Sequence, residues 1–426
     1  MTLGTTERYT SALILAVVVS MLFPIRTGLA SAKPSVNLLD YGSAGQGTDD
    51  TEVLQRALNA AAAEKKALRV PASSIPYTVR PLTIPSNTRL IFDAGVVIQA
   101  APGYRYHDHM INIDDASNVT IVGHGAILRM RKSEYTEGEW RHCISVEGSE
   151  NVIIQGLRCT DSGGDGIYVG SSKARPYSKN VVIEDVVADN NRRQGLSIIS
   201  AQDLWVRHCS FVNTNGTEPG DGIDIEPNWP TERLVNINIE DCMTAGNEGD
   251  GVCVAIGRMK ETSIEVSITV RRHSDSSAGK SSYQAFGGRS ANVKGRVTFD
   301  GCVSKNAQRY GAAVVGWEST GPLLVFRDLE ILNPDRSGET NGNTAVRIIR
   351  DPGALVGRMG NVYFLYPKIR DTTGRLVYYF FIYDASGIGE KNLKFLPGQC
   401  SGARKHPYGL YGHGAQRNEV ASVDVP

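Results

Sequence analysis

One short apolar–polar pattern returns along this chain often enough to decide its architecture. The segments NVTIVGHG (118–125), NVIIQGLR (151–158), NVVIEDVV (180–187), DLWVRHCS (203–210), NINIEDCM (236–243) and RVTFDGCV (296–303) repeat one design. A second recurring strand lies between them: HCISVEG (142–148), GDGIYVG (164–170), RQGLSII (193–199), GDGIDIE (220–226), GDGVCVA (249–255) and RYGAAVV (309–315). Alternation with a period of two marks half-buried strands, and Gly with Asn or Asp punctuates them. The period is irregular, but it falls among the lengths of roughly 20–50 residues typical of solenoids. No helical stretch long enough for crossover connections separates the strands, which excludes a doubly wound α/β sheet. The fold class is therefore all-β: short strands stacked coil on coil as a parallel β-helix. An open stack needs a cap, and DDTEVLQRALNAAAAEKKA (49–67) supplies a helix, with aspartates for its N-cap and Val53, Leu54, Ala57, Leu58 and Ala61 at helical spacing.

In register, Ile167, Leu196, Ile223, Val252 and Ala312 stack inward. Tyr168, Ser197, Asp224, Cys253 and Ala313 form an outward row. Asp165, Gln194, Asp221, Asp250 and Tyr310 form a third row at the strand entrance, each before a glycine. Cys209, Cys242 and Cys302 share a segment position with Leu157 and Val186, so they are read as reduced, stacked core thiols. Cys209–Cys242 is the bridge to expect if one forms. The absence of C-x-x-C or a nearby His argues against a metal on these cysteines.

The N-terminus reads as an export signal. Arg8 precedes the apolar run SALILAVVVSMLF (11–23), which is short for a membrane span, and Ala30-Ser31-Ala32 is an A-x-A cleavage site. The expected organisation is a signal peptide at 1–32 and one β-helix domain at 33–426, with a capping segment near 38–80 and a closing segment near 370–426. The mature chain is expected to be secreted or periplasmic, with no membrane span. The 45 Lys and Arg balance 45 Asp and Glu, which argues against a nucleic-acid-coating protein. Oligomeric state is not legible.

The stretch LLDYGSAGQGTDDTEVLQRALNAAAAEKKALRVPASSIPYTV (38–79) resembles the N-terminal segment of the pectate-lyase-like right-handed β-helix superfamily, which includes polygalacturonases, mannuronan C5-epimerases, pectate lyases and tailspike glycosidases. The resemblance implies a right-handed coil and a polysaccharide or oligosaccharide lying across one sheet. It does not choose the reaction. The polygalacturonase motif N-T-D-G-x-D is similar to PGDGID, which matches Asp221 and Asp224 but has Pro219 and Gly220 for Asn and Thr. Its D-D-C-x-A motif is similar to GDGVCVA, matching Asp250 but with Gly249 for the first Asp. The family's H-G motif is missing, and its R-I-K is only distantly echoed by VRIIRD (346–351).

The candidate catalytic residues are Asp221, Asp250, Asp224, Glu226 and Asp165. Stacked coils lie about 4.8 Å apart, so Asp221 and Asp250 become close neighbours, and like charges that close raise a pKa toward general-acid use. Asp224 and Glu226 share a face roughly 6.5–7 Å apart. Retaining glycosidases separate their carboxyl groups by about 5–5.5 Å and inverting ones by about 6.5–9.5 Å, so the stereochemistry stays open. Asp before Gly is also a turn formula, and alternating acids also solvate a sheet face. Arg141, His142, Tyr168, Arg193 and Trp229 are the candidate substrate-binding residues. They come from the loop 129–148, the segment 189–203 and aromatics beside the acids. The readings, in order, are a glycoside hydrolase, a lyase or C5-epimerase on a uronic-acid polymer, and a non-catalytic carbohydrate-binding solenoid. No cofactor or metal is required. Calcium is admitted by the oxygen-rich acidic row, although no calcium-binding nonapeptide repeats.

Overall fold

The computed structural model describes residues 34–421, apart from 289, 339–342, 351–356, 385–389, 397, 404–407 and 413–419. The export signal expected at 1–32 lies outside the described residues. From Ser35 onward the chain winds as a parallel β-solenoid, and every strand ladder joins one coil to a neighbouring coil. Among the described residues, a narrow sheet of 12 parallel strands lines one side. The remaining strands form a 24-stranded sheet folded along its length. A typical coil contributes a seven-residue strand such as Leu234–Glu240, a three-residue strand such as Met243–Ala245, and a narrow-sheet strand such as Val252–Ala255.

The corners explain the sequence punctuation. Between the seven- and three-residue strands one residue adopts the left-handed conformation: Asp185, His208, Asp241, Arg272, Gly301 and Asp328 in successive coils. Gly enters that region freely and Asp and His more readily than most residues, whereas Arg does so at a cost. At the start of the long strands Ser117–Arg129, Glu150–Thr160 and Ser178–Glu184, Asn118, Asn151 and Asn180 are also left-handed, and their amides bond to the preceding coil: Asn118 Nδ2 to Asn87 Oδ1 at 3.1 Å, Asn151 to Asn118 at 3.2 Å, Asn180 to Asn151 at 3.0 Å.

The core is made of columns. Ile144, Ile167, Leu196, Ile223, Val252, Tyr283 and Ala312 follow one another inward in register, all fully buried. Burying one such aliphatic side chain contributes about 1.5–3 kcal/mol, and the column repeats that gain at every coil. The expected inward row omitted one coil, that of Tyr283–Phe286, which carries Ser281 ahead of its strand where the preceding coil carries Asp250. The thiol column is present: Cys209, Cys242 and Cys302 are buried and free, and Cys242 Sγ accepts the Cys209 N–H at 3.4 Å. His273 stands between Cys242 and Cys302, with its Nδ1 3.2 Å from the Tyr283 hydroxyl.

The N-terminal helix spans Thr51–Ala63 and buries Leu54, Ala57, Leu58, Ala61 and Ala62 against the first coils. Its aspartates act differently from simple caps. Asp50, in the N-cap position, makes no side-chain cap bond; it accepts the N–H groups of Gly45 and Thr78 at 2.9 Å each and so ties the cap to the solenoid. The segment past 370 continues the stack, with strands Tyr378–Asp384, Glu390–Phe395 and Gln399–Ser401 in register with earlier ones. Among the described residues no helix is long and apolar enough to cross a membrane.

Candidate active site

The entrance and outward rows meet on the narrow sheet. The entrance row is a hydrogen-bonded ladder in which most side chains accept the backbone N–H of the same position one coil on. His109 Nδ1 accepts from His142 (3.1 Å), and His142 Nδ1 accepts from Asp165 (2.9 Å). Gln194 Oε1 accepts from Asp221 (2.7 Å), Asp221 Oδ1 from Asp250 (2.6 Å), and Asp250 Oδ1 from Ser281 (2.6 Å). The aspartates therefore have a structural duty, but not as turn formers. Gly166, Gly195, Gly222 and Gly251, which follow the row, do not have positive φ. They are glycines because a Cβ would meet the next coil's carbonyl oxygen at 2.5–2.7 Å. Gly249 is held by its neighbours too: a Cβ there would lie 2.2 Å from Asp221 Oδ1, so the position leaves no room for a second acid before Asp250.

On this ladder Asp221, Asp224 and Asp250 come together, 1%, 1% and 2% exposed, at the floor of the face. Gln194 Nε2 donates to Asp224 Oδ2 at 3.1 Å. Asp221 Oδ2 and Asp224 Oδ1 carry no hydrogen bond among the described residues. Burial, with the neighbouring Asp250 and Asp224 charges, lifts the Asp221 carboxyl well above its ordinary range. Burial and Glu226 push Asp224 up to about 8, against the pull of Arg193. Burial pushes Asp250 up to about 6, against its bond from the Ser281 N–H and the charge of Lys280. Ligand atoms of Asp221, Asp250 and Cys253 all lie within 4.8 Å of one another. Glu226 is half-buried beside them.

Two coils away Asp165 is fully buried, pushed up to about 6 by that burial, with Arg193 Nη1 at 3.6 Å. Arg193 also approaches Glu139 at 3.4 Å. Burial works against its charge, and Asp165, Asp224, Glu139 and Glu226 more than restore it. The loop 130–143 hangs over this end of the sheet and brings Trp140 to 5.9 Å from Tyr168. Stacked rings run coil by coil from His109 to His142 (4.5 Å) to Tyr168 (4.8 Å). Burial pushes His142 down to about 3, and with Nδ1 accepting, its proton sits on Nε2.

The structure sorts the other expected contacts. Arg141 donates to the Glu137 carbonyl (2.7 Å) and the Tyr104 carbonyl (3.3 Å) and lies over the Tyr106 and Tyr135 rings, so it braces the loop. Trp229 is 67% exposed, on the loop after Ile223–Ile225, with its N–H held by Glu232 Oε2 at 3.0 Å. Trp140, Gln194 and Cys253 belong to the site and were not singled out as site residues. Tryptophan in a charged loop, glutamine in an aspartate row and a cysteine in a mixed outward row gave no separate signal.

Comparison with known proteins gives four likenesses. The family described as right handed beta helix region matches residues 109–326. YclG, an uncharacterized protein of Bacillus subtilis, is 26% identical over 189 residues, which is 40% of this chain and 32% of YclG. A polygalacturonase of Malus domestica is 31% identical over 108 residues, 24% of this chain and 23% of the enzyme. This chain thus spans about a third or less of the curated relatives it matches. The solved structure of a family 28 exopolygalacturonase from Yersinia enterocolitica superimposes with a TM-score of 0.55, covering 92% of this chain and 79% of that one; at 13% identity this is a likeness of fold.

Proposed function

This chain belongs to the right-handed β-helix family, and from that premise we propose that it is an exported glycoside hydrolase acting on a polysaccharide laid across the narrow sheet. One observation carries the proposal: three buried carboxyls from two adjacent coils, Asp221, Asp224 and Asp250, meet on a face that also offers Arg193 and the Trp140–Tyr168 aromatics. The polygalacturonase names among its relatives support the substrate class. Environments that push carboxyl pKa values apart assign acid and base. Asp224, pushed up to about 8, holds its proton at neutral pH and gives it to the glycosidic oxygen. Asp250, at about 6, is ionised there and takes the proton of the attacking water. Asp221 sits between them and shares charge with both, so the protons come off as those of a cluster. Arg193 and Glu226 rim the floor; exposed Trp229 and half-buried Trp140 offer rings to sugars, while Tyr168 is buried beneath Trp140 and stacked on His142.

The test is a panel of neutral and uronic polysaccharides read both as new reducing ends and as absorbance of unsaturated products. Reducing ends without unsaturation, lost by about 10²-fold or more in Asp224→Asn, are expected. Unsaturated products would make the same site a lyase. Tight binding with no product from any polymer, and no effect of Asp224→Asn, would leave a carbohydrate-binding solenoid.

A further inference from the structure

The floor of the groove also has the composition of a metal site. We propose that Asp221, Asp250 and Cys253 bind a thiophilic divalent cation of the zinc class, and that the cation inhibits the enzyme by occupying its base. The binding stands on geometry alone; the inhibition rests on the hydrolase reading.

The three side chains belong to adjacent coils, and their ligand atoms lie within 4.8 Å of one another. Tetrahedral zinc, with bonds of about 2.0 Å to oxygen and 2.3 Å to sulfur, needs ligand separations of roughly 3.3–3.8 Å, which small side-chain rotations provide. Ligating carboxylates are oriented by outer hydrogen bonds. Here one oxygen of each is already fixed, Asp221 Oδ1 by the Asp250 N–H and Asp250 Oδ1 by the Ser281 N–H, so each carboxylate presents its second oxygen. An independent feature points to the same place. Asp224 is 1% exposed, in register beside Cys253, with Oδ1 carrying no hydrogen bond among the described residues. Its open oxygen adds a further polar group on the same face, available to hydrogen-bond a water on the cation. No ion pair among the described residues involves Asp221, Asp224 or Asp250, so a divalent charge is compensated by the site itself.

Ligand chemistry selects the cation. Calcium takes six to eight oxygens and gains nothing from sulfur, and magnesium keeps most of its water. Two carboxylates with a thiolate suit zinc or cobalt. Binding expels the Cys253 thiol proton and any proton on the two carboxyls to solvent, with no change of oxidation state.

The experiment uses the full chain, stripped of metal and titrated with Co²⁺, because a cobalt–thiolate bond gives a near-ultraviolet charge-transfer band that surface carboxylates do not. One equivalent with the band is expected. Cys253→Ser, a near-isosteric change, should abolish the band, and Asp250→Asn should weaken binding by tenfold or more. No band in the wild type, a band unchanged in Cys253→Ser, or displacement by equimolar Ca²⁺ overturns the site. With the band present, one equivalent of Zn²⁺ should block polysaccharide cleavage, and full cleavage in its presence overturns the inhibition. A chain that cleaves no polysaccharide yet gives the Cys253-dependent band refutes the hydrolase reading and supports the metal site.

Discussion

Asp275 places an ionisable group where the solenoid has least use for charge, and replacing it with Asn should stabilise the protein in a pH-dependent way. Its carboxyl is fully buried in the core, 2.7 Å from the Thr244 hydroxyl and 2.6 Å from the Ser282 hydroxyl, which in turn lies 2.7 Å from Ser304 Oγ. Burial pushes its pKa up to about 7, although the Ser282 and Thr244 hydroxyls favour the charged form. In the unfolded chain the same group titrates near 3.9. Between about pH 4 and pH 7 the folded state therefore holds a proton that the unfolded state has lost. Stability contributed by this group is complete below about pH 4 and falls as pH rises through about 7. About three pH units at 1.36 kcal/mol each amount to about 4 kcal/mol as an order of magnitude. Asparagine keeps the shape and cannot ionise. Over Pro34–Pro426, about 2.1 cal/mol/K per residue makes the unfolding entropy roughly 0.8 kcal/mol/K, so the full effect is about 5 °C in Tm. Scanning calorimetry of both proteins from pH 4 to pH 8 compares them with Asp221, Asp224 and Asp250 present in each; of these, Asp250 is the one whose charge also raises Asp275. Asp275→Asn should match the wild type near pH 4, exceed it increasingly up to about pH 7 and hold a level advantage above that. Parallel Tm curves would show that the core tolerates the charge and would refute the reasoning.

Three shorter predictions follow from the same geometry. Hydrolysis should rise with pH through about 6, as Asp250 ionises to serve as base, and fall through about 8, as Asp224 loses the proton it must donate; a rate flat between pH 5 and pH 9 contradicts both assignments. Gly249→Ala sets a Cβ 2.2 Å from Asp221 Oδ1 and from the Pro219 carbonyl, and should cost about 1–3 kcal/mol in urea unfolding and displace the acid pair; an unchanged unfolding midpoint counts against that packing. The core thiols should stay unlabelled by an alkylating agent until the chain unfolds without reductant, and a Cys209–Cys242 crosslinked peptide in mass spectrometry would contradict the free thiol column.

The stacking of Asp221 over Asp250 was legible in the sequence because parallel in-register coils turn a repeat into a contact. Aligning GDGIDIE with GDGVCVA gives the neighbours directly, as does aligning Cys209 with Cys242. What the sequence hid follows from the same rule. The Tyr283–Phe286 coil escaped because SSYQAFG has Ser281 in place of Asp and no glycine before the strand. The Thr244–Asp275–Ser282 cluster escaped because an alternation pattern assigns a face to each residue but does not announce a polar one turned inward. The glycines after the aspartates were legible as special but not as to why: close approach of the next coil, rather than a left-handed turn, demands them.

The ladder separates the structural from the chemical duty of Asp221, and a pair of substitutions measures each. Its Oδ1 accepts the buried Asp250 N–H at 2.6 Å, and that duty needs an oxygen, not a charge. Asp221→Asn preserves the acceptor and replaces Oδ2 with an amide that donates toward the neighbouring carboxyls. It should therefore fold as well as the wild type or better, since it removes one of three crowded acids. If the carboxyl takes part in the chemistry, it should lose on the order of 10²-fold in rate. Asp221→Ala removes the acceptor too and leaves the Asp250 N–H buried without a partner, a cost of about 1–3 kcal/mol. Thermal unfolding and turnover of the folded fraction should thus dissociate: Asn stable and inactive, Ala destabilised and inactive. If Asn is stable and fully active while Ala is only destabilised, Asp221 is a rung of the ladder and nothing more, and the chemistry belongs to Asp224 and Asp250 without it. If Asn is as unstable as Ala, the backbone bond is not what the carboxylate supplies, and the ladder account of this whole row fails with it.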